Sequence, residues 1–449
     1  MAKGRDDDRD RRLSAADTQM LEYQRPGTSL FTESVWLLTF TGTEPGIAEL
    51  RKLVASRLPL LPPLRERVAY SKLRLMRPRW VRDTGFDLSR HVCEADTARF
   101  GGRKGWLQLV DELLATRLDR RRPLWRLWLA RGGDEERFAL VFHHNHAWAD
   151  GHSALHVLRL LLAVDPGQAQ RSSGAQAPRD RSAGTRLREL VEEARSIAAA
   201  TRLLYPPAPS VPALNRPLGL RRHVLTVDLS MQQVTEIATE SGCFPNDVYL
   251  TAVAGGLRRW LESREEAPAE MIIQAGIPIK TRSRADRQDL GNHFSGIRLP
   301  LPLGEATPLT RLRQVQAQTK QITAGRIARG GELMSRVHNL LPRQLLTPLA
   351  RAELGPDAIN IVISHLVLPG NLRECLGRPL QRLRCWTPLF EDQAISVVAA
   401  QGLDGTMTVN LLVEPDLVPD AAELEFGIRE TVEELHASLA GKALVANRS

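Results

Sequence analysis

The chain has 449 residues, 43% hydrophobic and 25% charged, a length that favours two domains and a composition that marks a globular protein. The formal net charge is +9, with 61 basic residues against 52 acidic, but aromatics make up only 5% and the arginines are dispersed. Clustered basic residues interleaved with aromatics are what nucleic-acid binding requires, so a nucleic-acid partner is not expected.

Residues 1–12 are charge-dense and are expected to be disordered. They hold no apolar core of a signal peptide, and no run of 18 apolar residues occurs anywhere, so nothing is expected to span a bilayer. The four cysteines (Cys93, Cys243, Cys375, Cys385) form no CxxC pair. Neither a disulfide framework nor a thiolate metal site is indicated, and a reduced cytoplasmic protein is expected.

A first folded block is expected over residues 13–165, closed by the apolar helical run Ala154–Ala163. Residues 166–220 read as a linker with one helix, Leu187–Leu204, and a proline-rich stretch from Tyr205 to Pro212. The second block, 221–449, mixes strand-like runs (His223–Leu229, Met271–Ile279, Ile359–Ser364, Ala394–Ala399, Met407–Val413) with helices, the last being Ala421–Leu439. Strands and helices intermingle in both blocks, so the fold class is α/β or α+β.

Chemistry concentrates in Phe142–His152, where four histidines and one aspartate follow the short apolar strand Phe138–Phe142. The segment after Asp150 reads as a helix, so the cluster sits on a strand-to-helix turn open to a cleft. Metallo-hydrolase loops of the HxHxDH type need an Asp four and a His five residues after the first ligand. From His144 those positions are Trp148 and Ala149, and from His146 the intervening His is missing. No metal is expected there.

The general-base reading fits better. His146 ends the strand with a side chain able to take a proton near neutrality, while Asp150 opens the helix, caps its first turn and locks the loop. A satisfied core histidine is the competing reading for His146. His143 and His144 alternate at the strand end, so one is expected to face core or cleft and the other away. His152 and His156 share a helix face at the surface or boundary. Asn246 and Asp247 precede the periodic run Val248–Trp260, where capping of a helix and an anion-holding N-terminus are equally supported. Pro123, Leu124 and Trp125 read as packing that braces the site strand.

In order along the chain, Leu13–Asp17, Trp80 with Phe86–Leu88, Pro123-Leu124-Trp125, Asn145–Gly151, Asn246-Asp247 and Leu290–Asn292 with Leu299-Pro300 resemble the landmarks of one family. It is the bacterial wax ester synthase/acyl-CoA:diacylglycerol acyltransferase family, whose signature is HHxxxDG. Asn145 stands where the family has its first His, while His146, Asp150 and Gly151 match. The stretch Ile363–Gly370 is only loosely similar to the family's SNxPGP segment.

The resemblance implies two chloramphenicol-acetyltransferase-like domains with a substrate tunnel at their interface. It implies a long-chain acyl-CoA co-substrate, no resident cofactor or metal, and a fatty alcohol or diacylglycerol as hydroxyl acceptor. Peripheral contact with the inner membrane or lipid droplets would follow. The implied site is His146 and Asp150 as catalytic residues, with Asn145, Gly151, Pro123, Leu124, Trp125, Asn246 and Asp247 as motif and pocket residues. No GxSxG nucleophile motif is present, so direct transfer in a ternary complex is expected rather than an acyl-enzyme. Two alternatives stay open: a related acyltransferase acting on a specialised metabolite or a carrier-protein thioester, and a non-catalytic lipid-binding relative.

Overall fold

The computed structural model describes residues 11–24, 27–72, 75–97, 103–131, 137–162, 208–280, 290–323, 333–368, 372–402 and 404–446. The strands run β1 (Arg11–Arg12), β2 (Glu33–Thr41), β3 (Glu66–Ala69), β4 (Arg79–Arg82), β5 (Val92–Asp96), β6 (Trp125–Arg131), β7 (Arg137–Asn145), β8 (His223–Ser230), β9 (Ile273–Lys280), β10 (Phe294–Leu301), β11 (Ile361–Val367), β12 (Glu374–Cys375), β13 (Arg378–Trp386), β14 (Ile395–Gln401) and β15 (Thr406–Val413). The helices are α1 (Ala15–Tyr23), α2 (Ile47–Arg57), α3 (Arg103–Leu114), α4 (Gly151–Leu162), α5 (Met231–Ser241), α6 (Pro245–Glu262), α7 (Pro308–Thr323), α8 (Arg343–Leu354) and α9 (Ala422–Ala446).

Two six-stranded mixed sheets carry the molecule, in the orders β12-β13-β2-β7-β6-β5 and β10-β9-β11-β14-β15-β8. Each has its own hydrophobic core, the first around Trp36, Trp125 and Phe142 and the second around Tyr249 and Trp260. β7 lies between two neighbours in the first sheet and is buried from Phe138 through Asn145. A strand covered on both faces reads as a continuous apolar run, which is what Phe138–Phe142 is.

Three features depart from the sequence reading. Arg11 and Arg12, expected to be disordered, pair with Arg79 and Trp80 as β1, and an ion pair from Arg11 to Glu66 (3.6 Å) supports the charged strand. Residues 208–220, assigned to the linker for their prolines, are anchored: Val211, Ala213 and Leu214 pack into the second core. The third is an exchange between blocks. β13 lies in the second block yet pairs antiparallel with β2, Cys385 opposite Trp36, and so completes the first sheet. Its exposed or half-buried arginines alternate with apolar residues and hide the strand signal. The expected linker helix Leu187–Leu204 lies outside the described residues, as do Pro369 and Gly370.

In the second sheet β9 and β11 are parallel neighbours only at Ile361 and Val362. Past that point their ladder stops, and Pro278 and Ser364 border a cavity instead. Behind the sheet α6 and α9 approach closely because Gly256 has no side chain. A Cβ there would lie 2.6 Å from Ile428 Cγ1 and 2.8 Å from the Leu424 carbonyl. Gly256→Val is therefore expected to force the helices apart at a cost of about 1–3 kcal/mol, read as a lower thermal unfolding midpoint than wild type.

Candidate active site

β7 ends at Asn145, a turn covers residues 146–148, and α4 begins at Gly151. His146 is the first residue past the end of β7. Its backbone N–H donates to the Thr32 carbonyl (2.6 Å), and its carbonyl accepts from Asn292 Nδ2 (2.8 Å). The side chain is almost entirely buried and lines the cavity. Burial pushes the His146 pKa below the ordinary histidine value, against the opposing pull of the Asp150 charge, so the imidazole is neutral at neutral pH.

Asp150 does two things at once. Its Oδ1 accepts the Ser153 N–H (2.7 Å), the N-cap bond of α4, and its Oδ2 accepts the His293 N–H (3.0 Å) from the other half of the chain. Ser153 Oγ donates to the Gly291 carbonyl (2.8 Å) beside it. Gly151 is close to Leu366 of β11, whose methyl carbons would lie 3.3 Å from a Cβ. The loop from β7 to α4 is thus fastened to the second sheet by a carboxylate, a hydroxyl and a contact that only a small residue leaves unstrained.

A third tie comes from α1. Ser14 caps the helix, and buried Asp17 at its third position accepts from Asn292 through both the backbone N–H (2.8 Å) and Nδ2 (2.9 Å). The same Nδ2 donates to the His146 carbonyl, so one amide holds α1, the catalytic loop and the 290–293 loop together. Gly291 adopts φ +119°, which a side chain resists, and a Cβ there would press on the Asp17 carboxylate at 3.1 Å.

Asn145 points elsewhere. Its Nδ2 donates to Thr32 Oγ1 (2.9 Å) and Glu33 Oε1 (3.1 Å), and its Oδ1 accepts the Ala147 N–H (3.0 Å). It shapes the turn and serves Glu33, a carboxyl whose pKa burial raises. Pro123, Leu124 and Trp125 brace the strand: the Leu124 carbonyl accepts the Asn145 N–H (3.1 Å), and Trp125 Nε1 donates to the Leu64 carbonyl (2.8 Å). None of these four lines the cavity.

Nor do Asn246 and Asp247. Helix α6 starts two residues earlier than a cap at Asn246 would require, with Pro245 as its first residue, so Asp247 is its third. Its Oδ2 accepts the Phe244 N–H (2.9 Å) and its Oδ1 accepts the Thr319 hydroxyl (2.7 Å).

The other histidines divide by environment. His143 and His144 are both buried, rather than one facing outward, and burial drives each pKa down to about 3. His144 Nε2 accepts from Trp36 Nε1 (3.1 Å). His143 has no hydrogen-bond partner on either ring nitrogen among the described residues. His152 is exposed at the cavity edge, and His156 is half-buried. No group of three or more His, Cys, Asp or Glu is placed to hold a metal among the described residues.

The cavity itself has a volume of about 180 Å³ and a mostly apolar wall drawn from α1, the loop between β7 and α4, and strands β9, β10 and β11 of the second sheet. Met20 of α1, His146 and Gly151 face Ile297 of β10 and Val362 and Leu366 of β11 across it. An unprotonated imidazole on such a wall can take a proton from a bound hydroxyl. Sequence reasoning placed Asp17 and Asn292 among family landmarks without giving them a place at the site. They lie 275 residues apart, and only the fold brings them together.

Two family models match the chain. The wax ester synthase/diacylglycerol acyltransferase catalytic domain covers residues 13–204, and the C-terminal domain of the same family covers residues 290–436. The chain belongs to this family. It is an acyltransferase. A probable diacylglycerol O-acyltransferase of Mycobacterium tuberculosis is 26% identical over 419 residues, covering 89% of this chain and 90% of its own. Another relative from that organism, described under the same enzyme name, is 30% identical over 487 residues, covering 96% and 98%. Among solved structures, the wax ester synthase/diacylglycerol acyltransferase of Marinobacter aquaeolei VT8 superposes with a TM-score of 0.67 at 19% identity, over 96% of this chain and all of that one. The first condensation domain of a calcium-dependent antibiotic synthetase gives 0.63 at 15%, over 95% and 97%. The two-domain, chloramphenicol-acetyltransferase-like fold is therefore shared.

Two outcomes follow for this family member. Asn292→Ala removes the amide donor to both Asp17 and the His146 carbonyl, which is expected to cost about 1–3 kcal/mol of stability and to lower kcat more than it raises KM. Histidines held neutral by burial contribute stability that is present above their unfolded pKa near 6.5 and is lost as pH falls from there toward about 3. His143→Leu is expected to reduce the fall in the unfolding free energy, measured by urea titration, between pH 7 and 5, by up to about 2 kcal/mol.

Proposed function

We propose that the chain transfers a long-chain acyl group from acyl-CoA directly to the hydroxyl of a fatty alcohol or diacylglycerol, with His146 as general base. The observation that carries this reading is the buried side chain of His146 on the wall of a mostly apolar cavity lined from both halves of the chain. The relatives' names supply the substrate class, and the cavity wall suits apolar substrates.

In the reaction the acceptor oxygen forms a bond to the thioester carbonyl carbon as His146 takes the hydroxyl proton. Collapse of the tetrahedral intermediate breaks the carbon–sulfur bond, and the proton leaves with the CoA thiolate as free thiol. Asp150 does not touch the acceptor. It positions the loop through its bonds to Ser153 and His293. The substitution at Asn145 leaves this scheme intact, because its side chain is committed to Thr32, Glu33 and the turn. The donor is a co-substrate, so no resident cofactor or metal enters the scheme. We place the enzyme in the cytoplasm, attached to the inner membrane or lipid droplets from one side, since its acceptors reside there and no described helix is long and apolar enough to cross a membrane.

His146→Ala is expected to lower thiol release from palmitoyl-CoA by about 10²–10⁴-fold. Because burial lowers the His146 pKa, the base stays unprotonated through neutrality. The rate is therefore expected to be flat around pH 7 and to fall only on the acid side, below the ordinary histidine value. A wild-type protein that releases no thiol with any member of an alcohol and diacylglycerol panel refutes the reading. A His146→Ala variant as active as wild type refutes the assignment of the base.

A further inference from the structure

Residues 333–338 form a short helix with two different faces. Met334, Ser335 and His338 line the cavity, while Val337 is exposed, and Leu340 just beyond is 84% exposed. The segment 75–77 is fastened alongside. Arg77 donates to Asn339 Oδ1 (2.8 Å) and to the Asn339 carbonyl (3.0 Å), and Gln344 Nε2 donates to the Leu75 carbonyl (3.3 Å). Leu75 at 59%, Met76 and Leu345 are exposed as well. Five large apolar side chains are thus exposed on segments that these bonds tie together beside the cavity wall, a concentration that water-facing surfaces rarely carry without a partner.

The surroundings are cationic. Lys72, Arg79 and Arg336 are exposed near the apolar residues, and Arg12 pairs in register with Arg79. Two nearby carboxylates are already engaged, Glu22 with Arg343 (2.5 Å) and Glu66 with Arg11 (3.6 Å). An apolar centre with a basic rim suits the plane between anionic headgroups and acyl chains.

We propose that the face formed by Leu75, Met76, Val337, Leu340 and Leu345 docks the protein on an anionic phospholipid surface. The proposal deepens the functional reading above and rests on it for the identity of the acceptor. Because the helix 333–338 separates this face from the cavity, docking sets lipid against one side of a wall whose other side is the substrate chamber. An apolar acceptor then passes from lipid to His146 along a short path that avoids bulk water.

The test is flotation of the full chain with phosphatidylcholine vesicles made with and without phosphatidylglycerol, alongside thiol-release assays. Wild type is expected to float with the anionic vesicles and to detach from them at high salt. The double variant Leu340→Asp/Leu345→Asp alters only exposed positions. It is expected to lose at least tenfold in vesicle partitioning and in turnover of vesicle-borne diacylglycerol. Its thermal midpoint and its thiol release with a water-soluble short alcohol are expected to match wild type. Wild type that stays off anionic vesicles overturns the proposal, as does a double variant that floats like wild type. So does a dimer in light scattering that the double substitution dissolves, since the face would then cover a second copy of the chain. Failure of the acyltransfer reading shows separately, as absent thiol release by wild type with every acceptor, and leaves the flotation result decisive for the surface.

Discussion

The site depends on one buried amide. Asn292 Nδ2 donates to a carboxylate on α1 and to the backbone carbonyl of His146, and so joins the two. Asp17 is buried, so leaving it without donors would cost far more than the same loss at the surface. In a region of low dielectric each of these bonds is also stronger than in water. The catalytic loop therefore has one arrangement that satisfies α1, the 290–293 loop and itself together. Gly291 is part of that arrangement, because its backbone conformation and its closeness to Asp17 both exclude a side chain.

A second clamp works at right angles in chemistry. Asp150 divides its two oxygens between the cap of its own helix and the His293 N–H, so the start of α4 cannot move without breaking a bond to the second sheet. The exchange of β13 into the first sheet reinforces this at the level of whole strands. Neither device adds a reactive group. Both reduce the freedom of the loop that carries His146, the kind of support that fixes a site's geometry before any ligand arrives.

Local patterns made part of this legible. The apolar run before His146, the cap at Asp150 and the strands His223–Ser230, Ile395–Gln401 and Thr406–Val413 all follow from periodicity or propensity within a few residues. β13 escaped because its arginines are half-buried through ion pairs with Asp228 and Glu49, distant in sequence, so its alternation does not read as apolar. The start of α6 was misplaced because Asp247 satisfies the cap from inside the helix rather than in front of it. The convergence of Asp17, His146 and Asn292 had no local signal at all. A hydrogen bond spanning 275 residues is a property of topology, and here only an ordered set of family landmarks pointed toward it.

The histidine cluster shows what burial does to a residue type that seems to announce chemistry. His143, His144 and His146 are nearly equal in sequence, and burial depresses all three pKa values. What separates them is which surface each side chain meets. His144 is spent on Trp36, and His143 lies in the packed sheet. His146 alone of the three follows the last paired residue of β7 and lines the cavity. Asn145, the last residue of β7, holds the end of the strand in place through Thr32, Glu33 and Ala147.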